Sequence, residues 1–444
     1  MAGPAAGVAA KSVSIRTIAL ASAIGATIEW YDFFLYGVVA ALVFNKLFFP
    51  QFDPLVGTLL AYTTFLVGFV ARPIGGIIFG HYGDRIGRKT ILVLTLLIMG
   101  VATFLIGLLP TYQSAGLWAP ILLLFLRVFQ GIGIGGEWGG AVLMAVEHSP
   151  EGKRGFYGSW PQIGVPAGLS LSAAVVALLS YLPEDQFLAW GWRIAFLLSA
   201  ILVVIGVYIR LRILETPAFE RVQETGSQAA VPFFELIRTH PKNVLLGMGA
   251  RYIEGCCFNI YGVFIVGYLA NTLKMPRQSA LLGVIFACLI MIVMLPIYGA
   301  LSDRWGRRGM FGVASLLIGI TAFPAFYLMN QGGPTWWTWL AIAIPFGLIY
   351  PAVYGPQAAL FSELFDTRVR YSGISFVYQF SGIFASGLTP IIATALLAQG
   401  DGQPWLICGY VLLVSLISAA SVFAMSETAR RDIVTDKRVA ATVP

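Results

Sequence analysis

Long apolar runs, interrupted by short polar stretches, alternate along the whole chain. Twelve runs fall near 18–44, 55–80, 90–110, 118–147, 156–183, 190–211, 243–272, 279–301, 309–329, 335–362, 369–398 and 404–425. A helix rising about 1.5 Å per residue needs about 20 mainly apolar residues to cross a bilayer's hydrocarbon core. Runs longer than that are accommodated by tilting. The pattern predicts an all-α integral membrane protein of twelve transmembrane helices.

Composition agrees. Of 444 residues, 58% are hydrophobic and 11% charged, and mean hydropathy is +0.81. A soluble domain carries about 25% charged residues, so this chain has too little polar surface to face water, and lipid must be its outer solvent. A net charge of +7 would suit a phosphate-binding partner, but the basic residues sit in short clusters between the apolar runs, and nucleic-acid binding is not expected. If both termini are cytoplasmic, 21 Lys and Arg lie on the inner side and four, Lys46, Arg193, Lys274 and Arg277, on the outer. The positive-inside rule therefore predicts cytoplasmic termini. Cys256, Cys257, Cys288 and Cys408 all lie in apolar segments without metal-ligand spacing, so no disulfide framework, metal or cofactor is expected. The start of the chain lacks the pattern of a cleavable signal, and the first helix is expected to serve for insertion.

The chain repeats itself. GHYGDRIGRK at 80–89 returns as GALSDRWGRR at 299–308, Ile28-Glu29 and Tyr36-Gly37 return as Ile253-Glu254 and Tyr261-Gly262, and Glu147 and Arg154 return as Glu363 and Arg370. The offsets are nearly constant, the mark of a transporter built from related halves. The polar stretch near 212–242 divides them, so the expected domains are a bundle over 1–211, a cytoplasmic linker over 212–242, and a second bundle with a short tail over 243–444.

Charge within the membrane is costly and marks functional candidates. Helix one carries Glu29, Asp32 and Tyr36 on one face, helix four Arg127, Gln130 and Glu137, and helix seven Arg251, Glu254 and Tyr261; Arg72 lies in helix two. Three helices thus aim charge at what should be one central cavity. Trp160, Gln162, Tyr354, Gln357, Tyr378 and Gln379 are expected to complete a pocket, and Tyr350 is a further candidate. At the inner loops, Asp84, Arg85 and Arg88 and their repeats Asp303, Arg304 and Arg307, with Glu147/Arg154 and Glu363/Arg370, are expected to form a conformational latch. The run Gly131 to Gly136 fits G-x-G-x-x-G, but no strand precedes it, and close helix packing accounts for it better than a dinucleotide. No Walker loop and no supported nucleophile–base pair occurs, which argues against an enzyme or an ATP-driven pump.

These loop signatures resemble those of the major facilitator superfamily. EWYDFFLYG at 29–37, RPIGG at 72–76, QGIGIGGEWGGA at 130–141, WGWRIAF at 190–196 and LRILETPAFE at 211–220 are similar to the metabolite:proton symporter family. ALVFNKLFFP and GTLLAYTTFLVGFVARP look most like its shikimate-type branch. The resemblance implies two six-helix bundles working by alternating access in a bacterial inner membrane, with a small organic acid and protons as partners and a monomer as the functional unit. A zwitterion such as proline or betaine is the alternative substrate, and a non-transporting sensor a more distant one. A substrate carboxylate favours the guanidinium fork of Arg127 or Arg251. Asp32 and Glu137 suit the proton carrier, with Glu29 as a third acid or part of a gate.

The topology is testable by labelling. Thr225→Cys in a cysteine-free background should resist an impermeant thiol reagent in intact cells, and rapid labelling there would overturn the orientation.

Overall fold

Backbone N–H and C=O groups in lipid must be paired within their own segment, and each predicted apolar run is helical. The computed structural model of the protein describes residues 15–86, 88–135, 138–147, 149–212, 232–366 and 369–429, and among these there is no strand. The long helices are α1 (Ala23–Leu47), α2 (Pro54–Phe79), α3 (Arg88–Leu108), α4 (Trp118–Glu147), α5 (Arg154–Leu179), α6 (Glu184–Ile209), α7 (Pro241–Thr272), α8 (Arg277–Trp305), α9 (Arg307–Asn330), α10 (Thr335–Leu364), α11 (Arg370–Gln399) and α12 (Trp405–Phe423). Eleven are long and apolar enough to cross a membrane, and α3 adds a shorter apolar segment, Val93–Leu108. Residues 136 and 137 of α4 are outside the described set.

The helices that flank the repeated motif run further than the apolar runs do. The helix of α2 continues to Ile86 and α3 begins at Arg88. In the repeat α8 runs to Trp305 and α9 starts at Arg307. Gly306 alone makes that reversal, at φ +95°, a conformation that costs a glycine little and an L side chain much. Asp303 therefore rides the last turn of α8, and Arg307 opens α9.

Packing follows the repeat. Within the first six helices α1 packs on α5, α2 on α4 and α3 on α6; within the last six α7 packs on α11, α8 on α10 and α9 on α12. Contact between the sets runs through α5 on α8 and α2 on α11, which the same symmetry relates. α1 and α7 lie at the centre, each with 94% of its apolar window buried, against 33% for α6. A widened π turn interrupts both at matching places, Ala40–Phe44 and Ile260–Phe264. Outward side chains such as Ile77, Leu178, Val204 and Leu245 are apolar and exposed, as a lipid-facing surface requires. The glycine run of α4 is a packing stripe: a Cβ on Gly131 or Gly135 would strike the Gly68 or Arg72 carbonyl of α2.

Candidate functional site

Where α7, α10 and α11 meet α2 and α4, charge interrupts the apolar interior. Arg251 and Glu254 stand one turn apart on α7 and form an ion pair at 2.6 Å. Tyr350 of α10 donates its hydroxyl to Glu254 at 2.9 Å, and Gln357 lies beside the same carboxylate. The Arg251 guanidinium sits 3.9 Å from the Tyr378 ring centre. Trp138 of α4 stacks on that ring at 3.6 Å, and two groups so close cannot share one face, so both faces of Tyr378 are covered. The Tyr354 hydroxyl lies near that of Tyr378.

Arg72 of α2 belongs to this cluster, and the charges of Arg251 and Glu254 act on it. Its guanidinium rests 4.0 Å over Phe69 and 4.1 Å over Phe33, contacts that hold a desolvated cation. Its Nε and Nη2, and Arg251 Nε, are buried without a hydrogen-bond partner. Among the described residues, two guanidiniums therefore answer to one carboxylate. Hydrogen bonds between the halves flank the cluster: Gln162 Nε2 donates to Tyr354 O at 2.6 Å and Gln379 Nε2 to Gly135 O at 2.7 Å. Trp138 Nε1, Trp160 Nε1, Gln162 Oε1 and Gln379 Oε1 have no hydrogen-bond partner.

Arg127, Gln130, Tyr36 and Asp32 make their contacts elsewhere. Arg127 is turned into the first six helices, donating to Gln130 Oε1 at 2.7 Å and to the carbonyls of Phe65 and Thr64 at 3.2 and 3.4 Å, under the ring of Tyr36. Gln130 passes the chain on to Thr103 at 2.6 Å, and Tyr36 bonds Thr64. Asp32 faces α6, where Ser199 donates to Oδ1 at 2.6 Å and Oδ2 has no hydrogen-bond partner. α1 is surrounded, so one stripe of it meets different neighbours at successive turns. Glu29 is buried one turn nearer the N-terminus of the same helix. Glu137, and the side chains of Asp84, Arg85 and Arg88, lie outside the described residues.

A second network closes the face that carries the repeated motifs, here the basic face. Asp303 accepts Gly155 N–H at 2.8 Å and Phe156 N–H at 3.0 Å, so a carboxylate of one half caps a helix of the other, where unsatisfied N–H groups and the helix dipole favour it. Arg307 bridges Asp303 at 2.8 Å and Glu363 at 3.2 Å. The repeated acids and bases pair crosswise, Glu147 with Arg370 at 3.4 Å and Arg154 with Glu363 at 3.8 Å. Arg304 is exposed. Two participants were not foreseen. Thr428 donates to Glu363 at 2.7 Å, and Glu427 accepts the Arg307 and Arg308 N–H groups at 2.9 and 3.0 Å. Burial raises the Glu427 pKa, but the N–H groups of Ala429, Arg307, Arg308 and Thr428 outweigh it and hold the carboxyl below its usual range. A lone acid just after the last helix, ahead of a basic tail, was its only signal in the sequence.

Two bundles joined by polar contacts at a charged centre define a polytopic membrane transporter, and comparison with known proteins agrees. The chain matches the Major Facilitator Superfamily over residues 22–387 and 250–441. It is 40% identical over 419 residues to the "Shikimate transporter" of Escherichia coli (strain K12), covering 94% of this chain and 95% of that one. To the "Glycine betaine/proline/ectoine/pipecolic acid transporter OusA" of Dickeya dadantii it is 37% identical over 431 residues, 94% and 85% of the two chains. Among solved structures, that of a D-xylose-proton symporter superposes with a TM-score of 0.72 at 18% identity, covering 94% of this chain and 99% of that one, which shows the shared twelve-helix fold. The chain belongs to the Major Facilitator Superfamily, in its metabolite:proton symporter family, a family of transporters and not of enzymes.

Burial ranks the basic-face pairs. Glu363 is fully buried, whereas the Glu147 side chain is 41% exposed. Glu363→Gln leaves Arg307 with Asp303 alone and takes a buried carboxylate from Arg154 and Thr428, and should cost about 3 kcal/mol of stability. Glu147→Gln should cost no more than about 1 kcal/mol. Thermal unfolding of the purified variants checks the order, and equal losses would contradict the burial argument.

Proposed function

We propose that the chain is a proton-coupled carrier of a small organic acid, working by alternating access in a bacterial inner membrane. The observation that carries this reading is the charge of the central cluster: among the described residues, Arg72 and Arg251 face one carboxylate, Glu254, with guanidinium N–H groups left over. A substrate carboxylate supplies the missing charge and accepts a fork of hydrogen bonds. Arg251 with Arg72 is thus the anion anchor in this reading. Arg127, whose donors are taken up within its own half, positions α2 against α4. Asp32 is the leading proton carrier: it is buried, and Ser199 holds one oxygen while the other stays available for a proton. The basic-face network acts as the latch that closes the inner side, with the termini and the linker on the cytoplasmic side. The boundaries proposed for the two bundles remain 1–211 and 243–444.

The names of the relatives include carriers of both organic acids and betaine. A quaternary ammonium group favours an open aromatic face, and Arg251 and Trp138 already occupy both faces of Tyr378. The geometry favours the acid.

Uptake into right-side-out vesicles, with shikimate and proline as probes, tests the reading. Asp32→Asn should abolish pH-driven accumulation yet keep downhill exchange, because the amide mimics the protonated acid. Arg251→Lys should raise the half-saturating concentration about 10- to 100-fold through loss of the charge-assisted fork. Unaltered pH-driven accumulation in Asp32→Asn would remove Asp32 from the coupling, and unaltered affinity in Arg251→Lys would remove the anchor.

A further inference from the structure

At the face opposite the basic one, the ends of α1, α5, α6, α7 and α8 line a half-open cavity of about 310 Å³. That is near the small end of ligand pockets and fits a small metabolite. Three charged side chains line it: Lys46 of α1, Glu184 of α6 and Arg277 of α8. Glu184 gives one oxygen to each cation, Oε1 to Lys46 Nζ at 2.8 Å and Oε2 to Arg277 Nη2 at 3.5 Å. The cavity thus holds one positive charge in excess. Arg277 is seated by Phe187, 5.0 Å below its guanidinium, and its Nη1 is buried with no hydrogen-bond partner. One arm of a carboxylate-binding fork is free, and the other holds a long contact to a carboxylate that is 57% exposed.

The same contact ties the halves together. Lys46 and Glu184 come from the first six helices and Arg277 from the last six. Two hydrogen bonds assist it, Gln278 Nε2 to Ser180 O at 2.7 Å and Asn271 Nδ2 to Ala41 O at 3.3 Å. We propose that this cavity is a second, peripheral binding site, which takes the carboxylate of a small solute before it reaches the centre. The solute's carboxylate occupies both arms of Arg277 and displaces Glu184, which stays on Lys46. Every cation keeps a carboxylate through the exchange, so no charge is left bare, while the ion pair joining the halves on this face is released. Glu184 is in effect a built-in stand-in for the ligand. The ligand class rests on the organic-acid reading above, although any small carboxylate fits this chemistry.

Thiol labelling of the full chain in lipid nanodiscs tests the site. Met275 lines the cavity, and the four native cysteines are buried, so Met275→Cys reports on it alone. An anionic methanethiosulfonate should label it about tenfold faster than a cationic one, as a cavity of one sign of charge focuses its counter-ion. Shikimate and acetate should slow that labelling, and the neutral shikimate methyl ester should not. Arg277→Gln should lose the preference and the protection together, Arg277→Lys should keep the preference and weaken the protection, and Glu184→Gln should lower the protecting concentration several-fold. Arg251→Gln, which removes the central anchor, should leave protection intact. Absence of carboxylate protection, or protection that survives Arg277→Gln, would overturn the site. So would its loss in Arg251→Gln, which would trace protection to the centre and leave the organic-acid reading standing. Protection without any acid uptake in vesicles would instead overturn that reading and spare the site.

Discussion

Charge placed where water cannot reach must be answered by other groups of the protein, and the arrangement of this helix bundle follows from how that is done. Removing one partner of a buried ion pair costs several kcal/mol, which disciplines the position of every helix carrying a charge. Arg251 and Glu254 solve the problem locally, one turn apart on a single helix. Arg127 solves it with carbonyls of α2, Gln130 and an aromatic ring. Arg72 is answered mainly by the faces of Phe33 and Phe69, and so keeps donors to spare at the interface of the halves.

The same demand joins the halves without fusing them. On the basic face each half supplies what the other lacks: Asp303 caps α5, Glu147 meets Arg370, and Glu363 meets Arg154. Such contacts are directional and few, and water can replace them more readily than it can an interdigitated apolar seam. Glu427 and Thr428, just after α12, are built into this face, since Thr428 shares Glu363 with Arg307 and Glu427 caps α9.

The two faces are closed by different means. The basic face uses buried pairs and helix ends, with Arg307 and Glu363 both 1% exposed or less. The opposite face relies on a half-exposed carboxylate shared by Lys46 and Arg277 and on two hydrogen bonds. The unequal burial makes the contacts of the basic face the costlier ones to break.

The twelve helices were legible along the chain because lipid imposes one length and one composition on every spanning segment. The two-fold repeat was legible because symmetry copies residues as well as shapes, as in DRIGRK and DRWGRR. The membrane charges were legible because apolar runs leave them conspicuous. Their partners were not. Glu147 and Arg370 are 223 positions apart, and nothing local says that the repeated acids and bases pair crosswise. Asp32, Tyr36 and Glu29 share a helical face by spacing, yet a central helix has neighbours on all sides, so the tertiary packing alone sent Asp32 to Ser199 and Tyr36 to Thr64. Arg72 outranks Arg127 at the interface for the same reason: spacing determines the side of a helix a residue occupies, and only the packing of that helix decides whether the side faces its own bundle or the other.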